Sequence, residues 1–202
     1  MHNLILAYNN FSEVNVSRQF LSNAIENYLK SLTIISNSIP RFTNNVFVDL
    51  TSLTSLTISG EIILSVQSLE NAIYGLNTTL RAMKLEENYW HYLPYDIFSS
   101  PRLNNITNIS LVKNAISNLS LTPFAGLHNL QIIDLSMNIL IEFSVTSIVS
   151  IESLQRMTSF DFQNSLACRI HTIATFQNLK FWIYQEMLYR ICFHQCLNVC
   201  HP

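Results

Sequence analysis

Leu127-His-Asn-Leu-Gln-Ile-Ile-Asp-Leu-Ser-Met-Asn-Ile-Leu140 sets the period for the whole 202-residue chain. From Leu130 it reads L-x-x-L-x-L-x-x-N-x-L, with Ile133, Leu135, Asn138 and Leu140 in the remaining places. Ile133 and Leu135 alternate with Ile132, Asp134 and Ser136, so a short strand here buries one face and shows the other. Asn138 falls where the chain must turn, and its carboxamide can bond backbone groups that a turn leaves unpaired.

The pattern recurs in both directions. Upstream come Leu103, Ile106, Ile109, Leu111, Asn114 and Ile116, then Leu80, Met83, Leu85, Asn88 and Trp90. Leu50, Leu53, Leu56, Ile58 and Ile63 precede these, with Glu61 in the asparagine place. Leu29, Leu32, Ile34, Asn37 and Ile39 form another copy, and Leu4, Leu6, Asn9 and Phe11 begin the series. Downstream, Leu154, Met157, Phe160 and Phe162 continue it, with Ser165 for asparagine. The strand anchors Leu6, Ile34, Ile58, Leu85, Leu111, Leu135 and Phe162 are separated by 28, 24, 27, 26, 24 and 27 residues. A retained phase at this period predicts an α/β leucine-rich-repeat solenoid of about seven repeats over 1–165: a curved parallel sheet on the concave side, short helices and turns on the convex side. Asn9, Asn37, Asn88, Asn114 and Asn138 are its structural asparagines.

Composition agrees. Hydrophobic residues make up 49% and charged residues 12%, which suits a stack in which every strand and every return segment buries a face. A net charge of −2 with no basic block argues against nucleic acid. No apolar run approaches a membrane span, and Met1–Asn10 lacks the positive region of a signal peptide. Helical spacing appears over Phe20–Leu32 and Val66–Leu76, whereas Pro94-Tyr-Asp-Ile-Phe98 and Pro123-Phe-Ala-Gly-Leu127 predict turns opened by proline and plugged by phenylalanine. With three glycines in the chain, the turns are expected to lean on Asn and Ser. No cap precedes the first repeat, which suggests a fragment or an end covered by a partner.

The chain resembles the ectodomains of Toll-like receptors and related cell-surface proteins. Pro123-Phe-Ala-Gly-Leu-His-Asn-Leu-Gln-Ile-Ile-Asp-Leu-Ser-Met-Asn138 is similar to that family's F-x-x-L-x-x-L-x-x-L-x-L-x-x-N. From Asn164 the chain resembles the family's C-terminal cap, with Ser165 in its proline place and Ile170 in its second cysteine place. Residues 166–202 are therefore expected to be a cysteine-containing cap, in which the resemblance implies a disulfide between Cys168 and Cys192. Read from the residues alone, Cys192, His194, Cys196, Cys200 and His201 leave three options open: a disulfide cap, unpaired thiols, or a zinc site.

N-glycosylation sequons start at Asn10, Asn15, Asn77, Asn105, Asn108 and Asn118, although about four would arise by chance in so Asn/Ser/Thr-rich a chain. A glycan on Asn108 would stand on the concave face. No catalytic constellation, phosphate loop or cofactor motif appears, so an enzyme is not expected. The expected function is binding of a protein or other macromolecule on the concave or lateral face. Concave positions would include Thr33, Ile35, Thr57, Ser59, Lys84, Glu86, Ser110, Val112, Asp134, Ser136, Asp161 and Gln163. The resemblance implies a ligand-recognising or receptor-pairing ectodomain in innate immune signalling, outside the cell or at its surface, with any membrane anchor beyond this chain. An intracellular adaptor docking a protein partner is the alternative. A decayed receptor remnant is a third reading, suggested in part by the weak repeat around Glu61.

Overall fold

The computed structural model describes residues 2–22, 28–94, 97–117, 119, 123–124 and 126–139, together with the strands Glu142–Phe143, Ser159–Asp161 and Arg169–Ile170. Strands β1 (Asn3–Ala7), β2 (Ser31–Ile35), β3 (Ser55–Ser59), β4 (Ala82–Glu86), β5 (Asn108–Ser110) and β6 (Ile132–Asp134) follow one another with a return segment between each pair. After β7 (Glu142–Phe143), β8 (Ser159–Asp161) closes a seven-stranded parallel sheet of order β1-β2-β3-β4-β5-β6-β8. A separate pair joins β7 to β9 (Arg169–Ile170).

The register matches the repeat phase residue for residue. Leu6 pairs with Ile34, Ile34 with Ile58 and Ile58 with Leu85. Further along, Ile109 pairs with Ile133 and Ile133 with Phe160. Alternation puts Leu32, Ile34, Leu56, Ile58, Met83 and Leu85 inside, all fully buried, while Thr33, Thr57 and Lys84 face out. One carbonyl at each strand entry stitches consecutive turns: His2 O accepts from Lys30 N and Ser31 N, Lys30 O from Thr54 N and Ser55 N, and Thr54 O from Arg81 N and Ala82 N.

The return segments differ, as their sequences predict. Helix α1 covers Arg18–Ser22 and α2 covers Val66–Ile73. Ser65 caps α2, its hydroxyl accepting from Ser68 N, and Val66, Leu69, Ala72 and Ile73 turn inward at helical spacing. The helical expectation for Phe20–Leu32 overruns, because Ser31 and Leu32 belong to β2. Phe98 and Phe124, behind their prolines, are both fully buried and stack with centroids 5.5 Å apart.

One expectation is corrected. The repeat pattern places Ile63 in a core position, but it is 49% exposed while Leu64, one residue later, is buried. The N–H of Leu64 closes a turn onto Glu61 O, which pushes Ile62 and Ile63 to its outer corners. The tight turns place Asn or Ser at some left-handed positions, Ser36, Ser38 and Asn45 among them, and unrelated residues at others. The left-handed residue lies immediately before each ladder position: Tyr8 (φ 58°), Ser36 (50°), Gly60 (67°), Glu87 (59°), Lys113 (54°) and Met137 (59°). A non-glycine residue there costs about 1–2 kcal/mol, so the bonds made by the following side chain hold it in place. Met137→Gly is accordingly expected to raise stability by about 0.5–1 kcal/mol, after subtracting glycine's extra freedom in the unfolded chain. A shifted urea midpoint at constant slope would show it; a lowered midpoint would contradict it.

Candidate functional site

Behind the C-terminal ends of the strands runs a polar spine. Asn9 N donates to Asn37 Oδ1 at 3.1 Å, and Asn37 N to Glu61 Oε1 at 2.7 Å. Glu61 N donates to Asn88 Oδ1 at 3.0 Å, Asn88 N to Asn114 Oδ1 at 3.0 Å, and Ile116 N to Asn138 Oδ1 at 3.1 Å. In the other sense four of the asparagine amides donate to a carbonyl one turn back: Asn37 to Leu6, Asn88 to Ile58, Asn114 to Leu85 and Asn138 to Leu111. These four side chains are buried, so unmade bonds would be costly.

Glu61 is a working rung and not a sign of decay. It is fully buried, and its two oxygens divide the preceding turn between them. Oε1 takes Asn37 N and Asn37 Nδ2, while Oε2 takes Ile39 N at 2.8 Å. A carboxylate accepts with both oxygens, where a carboxamide accepts with one. Its cost is the donor half of the asparagine role, since it has no N–H to give.

A second ladder, unread in the sequence, lies before the strands. Asn129 Nδ2 donates to Asn104 O, Asn105 Nδ2 to Thr78 O, and Thr79 Oγ1 to Thr51 O and Leu53 O. Each donor immediately precedes a repeat leucine or isoleucine (Leu130, Ile106, Leu80), and that shared offset was the available signal.

Between the ladders lies the open face of the sheet. Register aligns one row from Ile5 through Thr33, Thr57, Lys84, Ser110 and Asp134 to Asp161. At about 4.8 Å per strand, this row spans roughly 29 Å. It is apolar at Ile5, carries hydroxyls at Thr33, Thr57 and Ser110, and is charged at Lys84 and Asp134. Glu86 Oε1 accepts from Ser110 Oγ at 2.5 Å across strands, and Asp134 Oδ1 closes its own turn onto Ser136 N and Oγ. Beyond the first ladder, Ile62, Ile63, Tyr89 and Tyr92 stand exposed on the flank. On the return side, Arg18 pairs with Asp49 and holds that carboxyl below the usual carboxylate range.

In-register parallel strands, one per turn, with an internal side-chain ladder decide the architecture. The fold is a leucine-rich-repeat solenoid. Two solved structures agree. The chain is similar to human 5T4 (Wnt-activated inhibitory factor 1, trophoblast glycoprotein) with a TM-score of 0.67 and 20% identity, covering 85% of this chain and 63% of that one. It therefore spans under two thirds of that protein's chain. Internalin C2 of Listeria monocytogenes gives a TM-score of 0.50 at 20% identity, over 86% of this chain and 77% of that one. Toll, in its Drosophila complex with Spatzle, gives 0.47 at 18% identity, over 82% and 30%. No protein-family model and no curated protein matches the sequence.

The solenoid brings Asn9, Asn37, Asn88, Asn114 and Asn138 together in one ladder and distributes the sequons. Asn10 and Asn15 lie exposed after β1, Asn77 and Asn105 before β4 and β5, and Asn108 half-buried on the open face within β5. Asn118, Gln163, the proposed 165/166 boundary, Cys168, Cys192, His194, Cys196, Cys200 and His201 lie outside the described residues. Among the described residues, no three His, Cys, Asp or Glu side chains form a metal-binding group, and no helix is long and apolar enough to cross a membrane.

Proposed function

We propose that this chain is a protein-binding module, the leucine-rich part of a Toll-like-receptor-type ectodomain that recognises a ligand or pairs receptors in innate immune signalling. The open row from Ile5 to Asp161 carries the reading. A repeated backbone frame holds side chains of changing chemistry at fixed spacing, which suits recognition of an extended protein surface. The complementary partner presents apolar groups toward Ile5 and Thr33 and a basic group toward Asp134. The receptor setting is supported by the cap-like cysteine segment and the sequons.

The test is a binding screen of the chain against panels of secreted and cytosolic proteins, repeated with face variants. Thr57→Glu/Lys84→Glu is expected to weaken a true partner at least tenfold, about 1.4 kcal/mol, by placing acid in the centre of the row. Tyr74→Glu, at the exposed end of α2, is expected to leave binding unchanged. Equal binding by all three proteins would overturn the concave site. A partner found only in the cytosolic panel would replace the ectodomain by an intracellular adaptor.

A further inference from the structure

We propose that N-linked sugars attach at Asn10, Asn15 and Asn77 but not at Asn105, whose sequon is a by-product of the second ladder. This rests on the ectodomain reading, which places the chain in a secretory compartment. In the transfer, Nδ2 attacks the anomeric carbon of an oligosaccharide carried on a polyprenyl pyrophosphate. The N–C bond forms, the C–O bond to phosphate breaks, the lipid pyrophosphate leaves, and Nδ2 loses one proton. The native fold must then leave the sugar room beside Nδ2.

The six sequons are alike in sequence and differ in their surroundings. Asn10 is exposed, with its carbonyl turned inward to accept from Ser12 N at 3.1 Å. Asn15 is exposed and accepts from Arg41 Nε at 2.7 Å, and the Asn77 carbonyl accepts from Thr78 N at 2.7 Å. In all three the oxygen is engaged, and no described residue accepts from Nδ2. Asn105 differs in its amide. Like Asn77 it is half-buried, but its Nδ2 donates to Thr78 O at 2.8 Å, in the seam between two turns. Thr79 and Asn129 donate from the equivalent places in neighbouring turns, so a donor at this offset ties adjacent turns together, whichever residue supplies it.

The test joins a cleavable secretory leader to the full chain, expresses it in animal cells, and treats the product with peptide N-glycosidase in ¹⁸O water. Mass spectrometry of the protease-resistant, folded fraction then reads each site. Label is expected at Asn10, Asn15 and Asn77 and absent at Asn105. Asn105→Thr, which keeps a ladder donor and removes the sequon, is expected to leave both electrophoretic mobility and urea midpoint unchanged. Label at Asn105 in folded protein, a mobility change in the threonine variant, or no label at the other three sites would each overturn the proposal. Were the chain retained in cells, the same readout on chain translocated into microsomes gives the answer. The binding reading is judged separately, on unglycosylated bacterial protein in the partner screen, so the two can fail independently.

Discussion

Glu61→Ala is expected to lower stability by about 2–6 kcal/mol, because it strands two buried backbone donors, Asn37 N and Ile39 N, at about 1–3 kcal/mol each. It also deprives Asn37 Nδ2 of one acceptor. Glu61→Gln is expected to cost about half as much, since one carboxylate oxygen becomes an NH2 group facing an N–H. Substitution by asparagine, the residue that the repeat pattern favours, should not rescue the site. A single shorter carboxamide oxygen must then serve two donors, in a turn whose next core residue is Leu64 and not residue 63. Urea unfolding of the three variants checks the order. Equal stability of Glu61→Asn and wild type would show that the carboxylate is a tolerated accident.

Phe98→Ala carries an effect of similar size, about 3–5 kcal/mol, from lost burial plus the cavity left behind. Two features keep that cavity from collapsing. Phe98 stacks on Phe124 in the next return segment with an interplanar angle of 15°. The backbones also already touch, since a Cβ on Gly126 would lie 2.9 Å from Phe98 O. Phe98→Leu keeps most of the volume and is expected to lose less than about 1.5 kcal/mol. Domain stabilities of about 5–15 kcal/mol mean the alanine variant would remove a large share of the total. Because repeat proteins divide their stability among neighbouring turns, the loss should appear first as a separate low-temperature transition of the turns flanking Phe98. A single unshifted transition would contradict this packing.

Much of the fold was legible because its signals are local and periodic. Strand anchors such as Ile34, Ile58 and Leu85 repeat at one phase, and burial of alternate side chains follows from strand geometry. The asparagines were legible as turn residues, but their partners were not, since the bonds that link one turn to the next reach about one repeat along the chain. For the same reason Glu61 looked like a defect: its role depends on two N–H groups 22 and 24 residues away. The left-handed residues escaped notice because Tyr8, Glu87, Lys113 and Met137 share no side-chain property. Only their place before a ladder residue unites them. The open face was legible by position, and its partner was not, because surface strand residues are free to vary without affecting the frame that holds them.

The ladder through Glu61 is the central physical claim, and amide hydrogen exchange read residue by residue tests it most directly. In the wild-type chain Asn37, Ile39, Glu61, Asn88 and Ile116 amides are predicted to exchange as slowly as the strand amides of Ile34 and Ile58, despite lying in turns. In Glu61→Ala, Asn37 and Ile39 should lose protection selectively while Asn88 and Ile116 keep it. Rapid exchange at Asn37 and Ile39 in the wild type, or protection unchanged by removal of the carboxylate, would contradict the account.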